Sequence, residues 1–97
     1  VSAFELSVRA PETLALNGDL SFATAADALP AIRARLAGSA VSQLDLAGLR
    51  HSDSAGLACL LAVLAEGRQT GRKLSVIGMP EGMLALAQVC EVDQLMH

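Results

Sequence analysis

Ser52, Asp53 and Ser54 stand together between an apolar run, Leu44-Asp-Leu-Ala-Gly-Leu49, and a segment of helical periodicity that opens at Ser54. All three are residue types that cap a helix by accepting hydrogen bonds from its first free N–H groups. One of them suffices for that task, which leaves another hydroxyl beside the cap with no structural duty. A hydroxyl held at the positive end of a helix can donate to a partner protein, or accept a phosphate whose charge the free N–H groups tolerate. Hydrolysis fits less well. A nucleophile of the G-x-S-x-G kind needs glycine where Ser52 stands, and its histidine base is missing: His51 precedes the motif and only His97 follows it. Cys59 with His51 makes a weaker pair still. Asp19 reads as a turn residue and Asp45 as a strand-face residue, and Gly78, Pro80 and Gly82 read as turn residues, not as a phosphate-cradling loop. Neither a metal site nor a cofactor is expected. The pattern predicts a binding or switching module and no enzyme.

Several elements must position that cluster. Phe4, Leu6 and Val8 alternate with polar residues, and Leu14 and Leu16 repeat the pattern after a turn at Pro11 and Glu12, which predicts a hairpin. Asn17-Gly18-Asp19 is expected to break the second strand. Ala25, Leu29, Ile32 and Leu36 then recur at helical spacing, with Thr24 and Asp27 resembling a capping box and Gly38 suited to the helix end. Pro30 predicts a kink, or a loose first turn followed by a helix from about Leu29. Val41 to Ala47 reads as a strand, Ser54 to about Gln69 as the strongest helix, and Lys73 to Gly78 as a further strand. Pro80 opens a helix running to about Val89. The tail from Glu91 to His97 carries Val92, Leu95 and Met96, enough to pack back as a short turn or helix. The order β-β-α-β-α-β-α predicts a mixed sheet in which an antiparallel hairpin adjoins parallel strands linked by helical crossovers.

On a helical wheel, Leu57, Leu60, Leu61 and Leu64 form one stripe suited to the sheet. Ala55, Ala58, Cys59 and Ala62 gather on a second face, where an ordinary surface helix carries lysine and glutamate. Small side chains permit close approach by another backbone, so this face with Ser54 forms a candidate docking surface. The competing explanation is that alanine is the best helix former and needs no partner.

Composition bounds the possibilities. At 97 residues and 53% hydrophobic content the chain is one domain with a packed core. Phe4 and Phe22 are the only aromatic side chains, and the net charge is −3 without a strongly basic tract, which argues against binding nucleic acid or acidic lipid surfaces; no direct membrane insertion is expected. The two cysteines, Cys59 and Cys90, lack ligand-like spacing and read as reduced, packed thiols. The uncharged stretch from Ala55 to Ala65 falls short of the roughly 20 residues a membrane span needs. No basic-then-apolar leader opens the sequence. A small cytoplasmic domain is expected.

Three motifs then stand in sequence: Leu14-x-Leu-x-Gly-Asp-Leu20, Leu44-Asp-Leu-x-Gly48 and Asp53-Ser-x-Gly-Leu57. Together they resemble the STAS domain family, which includes bacterial anti-sigma factor antagonists and the MlaB component of the phospholipid-trafficking ABC transporter. The resemblance covers essentially the whole chain, residues 1–97 as a single STAS domain. It implies an α/β fold with a mixed sheet, an antiparallel N-terminal hairpin and helices largely on one side, with no catalysis. It also implies partner binding around Ser54 and the face of Ala55, Ala58, Cys59 and Ala62. On the MlaB side, the partner is the cytoplasmic ATPase subunit of a transporter that maintains outer-membrane lipid asymmetry, so the chain would be cytoplasmic and peripheral to the inner membrane through that partner. On the antagonist side, Ser54, with Asp53 adjacent, matches the hydroxyl phosphorylated by an anti-sigma factor kinase. Two positions depart from the antagonist pattern: Ser21 replaces a common aspartate, and Ala55 replaces a second serine or glycine.

Overall fold

The structure, a computed structural model, describes residues 4–10 and 12–89. Pro11, Cys90 and the tail from Glu91 lie outside them. Strands β1 (Phe4–Ala10) and β2 (Thr13–Leu20) are followed by helix α1 (Phe22–Leu36), strand β3 (Gln43–Ser52), helix α2 (Ser54–Gln69), strand β4 (Ser75–Ile77) and helix α3 (Glu81–Val89). The expected alternation of elements is present.

The strands form one sheet in the order β1-β2-β3-β4. β1 and β2 pair antiparallel, with Leu6 opposite Leu16 and Val8 opposite Leu14. β2 with β3, and β3 with β4, pair parallel through the crossovers that α1 and α2 supply. The predicted mixed sheet is therefore observed. Leu14, Leu16, Leu20, Leu44, Leu46 and Leu49 turn one face of the sheet into the core, where Ala28 and Ile32 of α1 and Leu57, Leu60, Val63 and Leu64 of α2 cover it. Pleating sends their neighbours to the other face. There Ala15 is paired in register with Asp45. Asp45 is buried, ion-paired with Arg9, and accepts a hydrogen bond from Ala47 N at 2.9 Å.

Three local expectations fail for identifiable reasons. Gly18 does not end β2: it adopts φ +86° within the strand, and pairing continues to Leu20. β3 likewise runs beyond Ala47 to Ser52, because a register shift between Ala15 and Asn17 absorbs the irregularity around Gly48. The polar residues Arg50, His51 and Ser52 therefore end a strand and do not form a free loop. Finally, α1 begins at Phe22 and continues through Pro30, which sits on the solvent side. Its N-cap is Ser21, whose N–H donates to Thr24 Oγ1 at 3.0 Å, so Thr24 is the third helical residue and not the cap.

Candidate functional site

α1 and α2 enter the sheet side by side, and their amino ends meet. Two observations fix this junction. Gly56 lies so close to β2 that an added Cβ would stand 2.0 Å from the carbonyl oxygen of Leu20. Only hydrogen fits there, which explains the glycine three residues into the motif. The second observation is Asp53, which caps both helices. Its Oδ1 accepts from Ala55 N at 2.9 Å and Gly56 N at 3.0 Å, in the usual N-cap manner. Its Oδ2 accepts from Phe22 N at 3.0 Å, satisfying a free N–H at the start of α1. These backbone donors, Phe22 first, hold the Asp53 carboxyl below the usual aspartate range. A cap at this position was legible from residue type, but its second role was not, because the two partners lie 31 residues apart.

Ser54 is the first residue of α2 and its side chain is exposed. The remaining candidate residues divide. Ala58 is exposed, Ala55 and Ala62 are half-buried, and Cys59 is buried at 5% exposure. Cys59 therefore has no place on an external surface. The cause is α1: the stripe Ala55, Cys59, Ala62 and Glu66 turns toward it, and at the far end Arg33 Nε donates to Glu66 Oε1 at 2.8 Å. Burial pushes the Cys59 thiol up, partly offset by the charge of Arg33. The face open to solvent is rotated from the expected one. Its line runs from Ser54 through Ala58 to Ala65, with Leu61 and Ala62 half-buried on its flanks. It carries no charge before Arg68.

Phe22 is the residue that the sequence reading missed. It is 84% exposed and lies directly beside this junction through its bond to Asp53. The helical spacing of Ala25, Leu29, Ile32 and Leu36 leaves Phe22 out, and α1 buries the line Thr24, Ala28, Ile32. At about 100° per residue Phe22 lies about 120° from Ala28, which turns it outward. A signal existed: Phe22 follows the N-cap directly, before the helix is covered.

His51 is exposed and stands opposite Asp19 in the strand register, not beside a nucleophile. Two grooves, of about 650 Å³ and about 340 Å³, open near the carboxyl end of α2 and share Arg72 as a lining residue. They lie at the other end of the helix from Ser54. Among the described residues no group of His, Cys, Asp and Glu gathers as metal ligands would, and no helix is long and apolar enough to cross a membrane.

Comparison with known proteins follows the same lines. The family described as "Mlab, STAS domain" matches residues 6–97. No curated protein matches the sequence. Among solved structures, the fold is similar to the anti-sigma factor antagonist SpoIIAA in its unphosphorylated form, with a TM-score of 0.66 and 20% identity over 89% of this chain and 82% of that one. It is also similar to SpoIIAA, described as a Bacillus cell fate determinant, in its phosphorylated form, with a TM-score of 0.69 and 19% identity over 98% of this chain and 89% of that one. At such identity the likeness is one of fold.

Proposed function

The chain belongs to the MlaB-type STAS domain family, and from that premise we propose that it is a non-catalytic accessory subunit that binds the cytoplasmic ATPase subunit of an ABC phospholipid transporter maintaining outer-membrane lipid asymmetry. The observation that carries this reading is the solvent-exposed Ser54 hydroxyl on a rigid helix start, continued by the uncharged line of Ala58 and Ala65. Ala55 and Ala62 flank that line, while Cys59 is turned away from it, toward α1. A surface of this kind suits a partner whose backbone approaches closely and whose polar group meets the hydroxyl. By binding one conformation of the ATPase more tightly than another, the subunit shifts the population of its states. The chain then acts in the cytoplasm, held at the inner membrane by its partner.

The second reading, an anti-sigma factor antagonist phosphorylated on Ser54, draws support from the accessible hydroxyl and the SpoIIAA-like fold. The capping geometry weighs against it. The N–H groups of Ala55 and Gly56 already donate to Asp53 Oδ1, so they are not free to meet a phosphate. A phosphate on Ser54 would meet a neighbouring carboxylate instead.

Co-purification with the transporter ATPase subunit tests the proposal. The native chain is expected to retain the ATPase, Ser54→Ala to retain it less well, and Ser54→Arg to lose it, since a long cation fills the contact. Full retention by Ser54→Arg overturns docking at this site. Retention of a small protein kinase together with phosphate found on Ser54 would favour the antagonist.

A further inference from the structure

Phe22 is one of two aromatic residues in the chain, and it stands 84% exposed at the junction of α1 and α2. An exposed apolar side chain is ordinary in itself. This one is held in place from several directions. Its backbone N–H is bound by Asp53 Oδ2. The turn before it is tied by Thr24 Oγ1, which accepts from Ser21 N at 3.0 Å and donates to Asp19 O at 2.9 Å. The first turn of α2 is locked against Leu20 by the absence of a side chain at Gly56. Eleven residues on, at nearly the same angle on α1, Arg33 reaches across to Glu66 of α2. Phe22 therefore occupies the flank of α1 that borders α2, at the end where Ser54 is exposed.

We infer that the Phe22 ring is the apolar anchor of the Ser54 docking surface, and that it fills an apolar cleft of the ATPase subunit beside the group that meets the hydroxyl. The inference rests on the proposed function and names the residue from which the affinity comes. A phenyl ring offers on the order of 150–250 Å² to a partner, far more than the alanines along α2. Because its backbone is already fixed, ordering it on association costs little, and anchors of this kind dominate binding energy. The partner's cleft is apolar since Phe22 and the line of Ser54, Ala58 and Ala65 bring no charge of their own.

Calorimetric titration of the ATPase subunit with the native chain and with Phe22→Ala, Phe22→Trp and Ser54→Arg tests the anchor, with thermal melts as a control for folding. Phe22→Ala is expected to bind at least about 30-fold more weakly with an unchanged melting temperature, and Phe22→Trp to stay within about threefold of native. If Phe22→Ala binds like the native chain while Ser54→Arg does not, the anchor is wrong and docking at Ser54 stands. If neither variant changes binding, docking at Ser54 falls and the anchor with it. A native chain that is dimeric, and that Phe22→Ala makes monomeric without weakening ATPase binding, would also overturn the anchor in favour of a second copy of the chain.

Discussion

Asp53 shows how one side chain can carry more than its sequence context discloses. Its place before an apolar helix marked it as one of three candidate caps, and that much follows from residue type. That it also binds Phe22 N depends on two helix starts converging, which no local pattern encodes. The consequence is measurable. Its carboxyl is lowered from the ordinary aspartate value by the N–H groups of Phe22, Gly56 and Ala55. A lowered folded-state pKa means that the charged form stabilises the fold, fully above the unfolded-state value of about 3.9 and progressively less as pH falls through the folded value. Acid unfolding of Asp53→Asn beside the native chain should therefore show a lower melting temperature for the variant at neutral pH, and a gap that narrows below about pH 4. A constant gap would mean that the charge on Asp53 plays no part. Cys59 gives a second test at this scale. Buried, with its thiol pushed up, it should resist alkylation in a Cys90→Ser background until the protein unfolds. Rapid labelling of the native fold would return Cys59 to the surface on which the small-residue pattern first placed it.

At the level of elements, hydrophobic period identified each strand and helix, while their ends and rotations depended on packing. The leucine stripe of α2 was legible from its helical spacing: Leu57, Leu60 and Leu64 are buried, and Leu61, the fourth member, is half-buried at its edge. The opposite face was misjudged since alanine and cysteine fit equally well against solvent or against α1. Only the neighbouring helix decides, and it covers Cys59 and leaves Ala58 open. Strand ends were misjudged for another reason: Gly18 and Gly48 look like breakers, yet register shifts accommodate both within β2 and β3. Two substitutions probe the contacts that hold the elements. Gly56→Ala forces a methyl against the Leu20 carbonyl and should cost about 2 kcal/mol, read as loss of denaturation midpoint. Arg72 lies beyond α2, where its Nη1 donates to Val41 O at 2.8 Å and its Nη2 to Leu36 O at 2.7 Å, joining the end of α1 to the approach to β3. Arg72→Ala should likewise cost about 2 kcal/mol by chemical denaturation, because charge-assisted bonds to carbonyls are lost together. No change in either variant would show that the two junctions are more adaptable than their geometry implies.

Across the whole molecule, the two ends of the helical layer differ in character. The amino ends bring Phe22, Asp53 and Ser54 together, while the carboxyl ends carry Arg33 and Arg35 on α1 and Arg68 on α2, followed by Arg72 and Lys73. Cations at helix carboxyl ends complement the helix dipole, so that end is accounted for by stability. The amino ends hold an exposed hydroxyl and an exposed aromatic ring that stability does not require. The central claim is that a partner covers this end. Hydrogen exchange of the chain, alone and saturated with the transporter ATPase subunit, tests it most directly. Slowed exchange confined to residues 20–25 and 53–62 is the predicted result. Slowed exchange at residues 66–76 around the basic grooves, with the junction of α1 and α2 left unchanged, would contradict it.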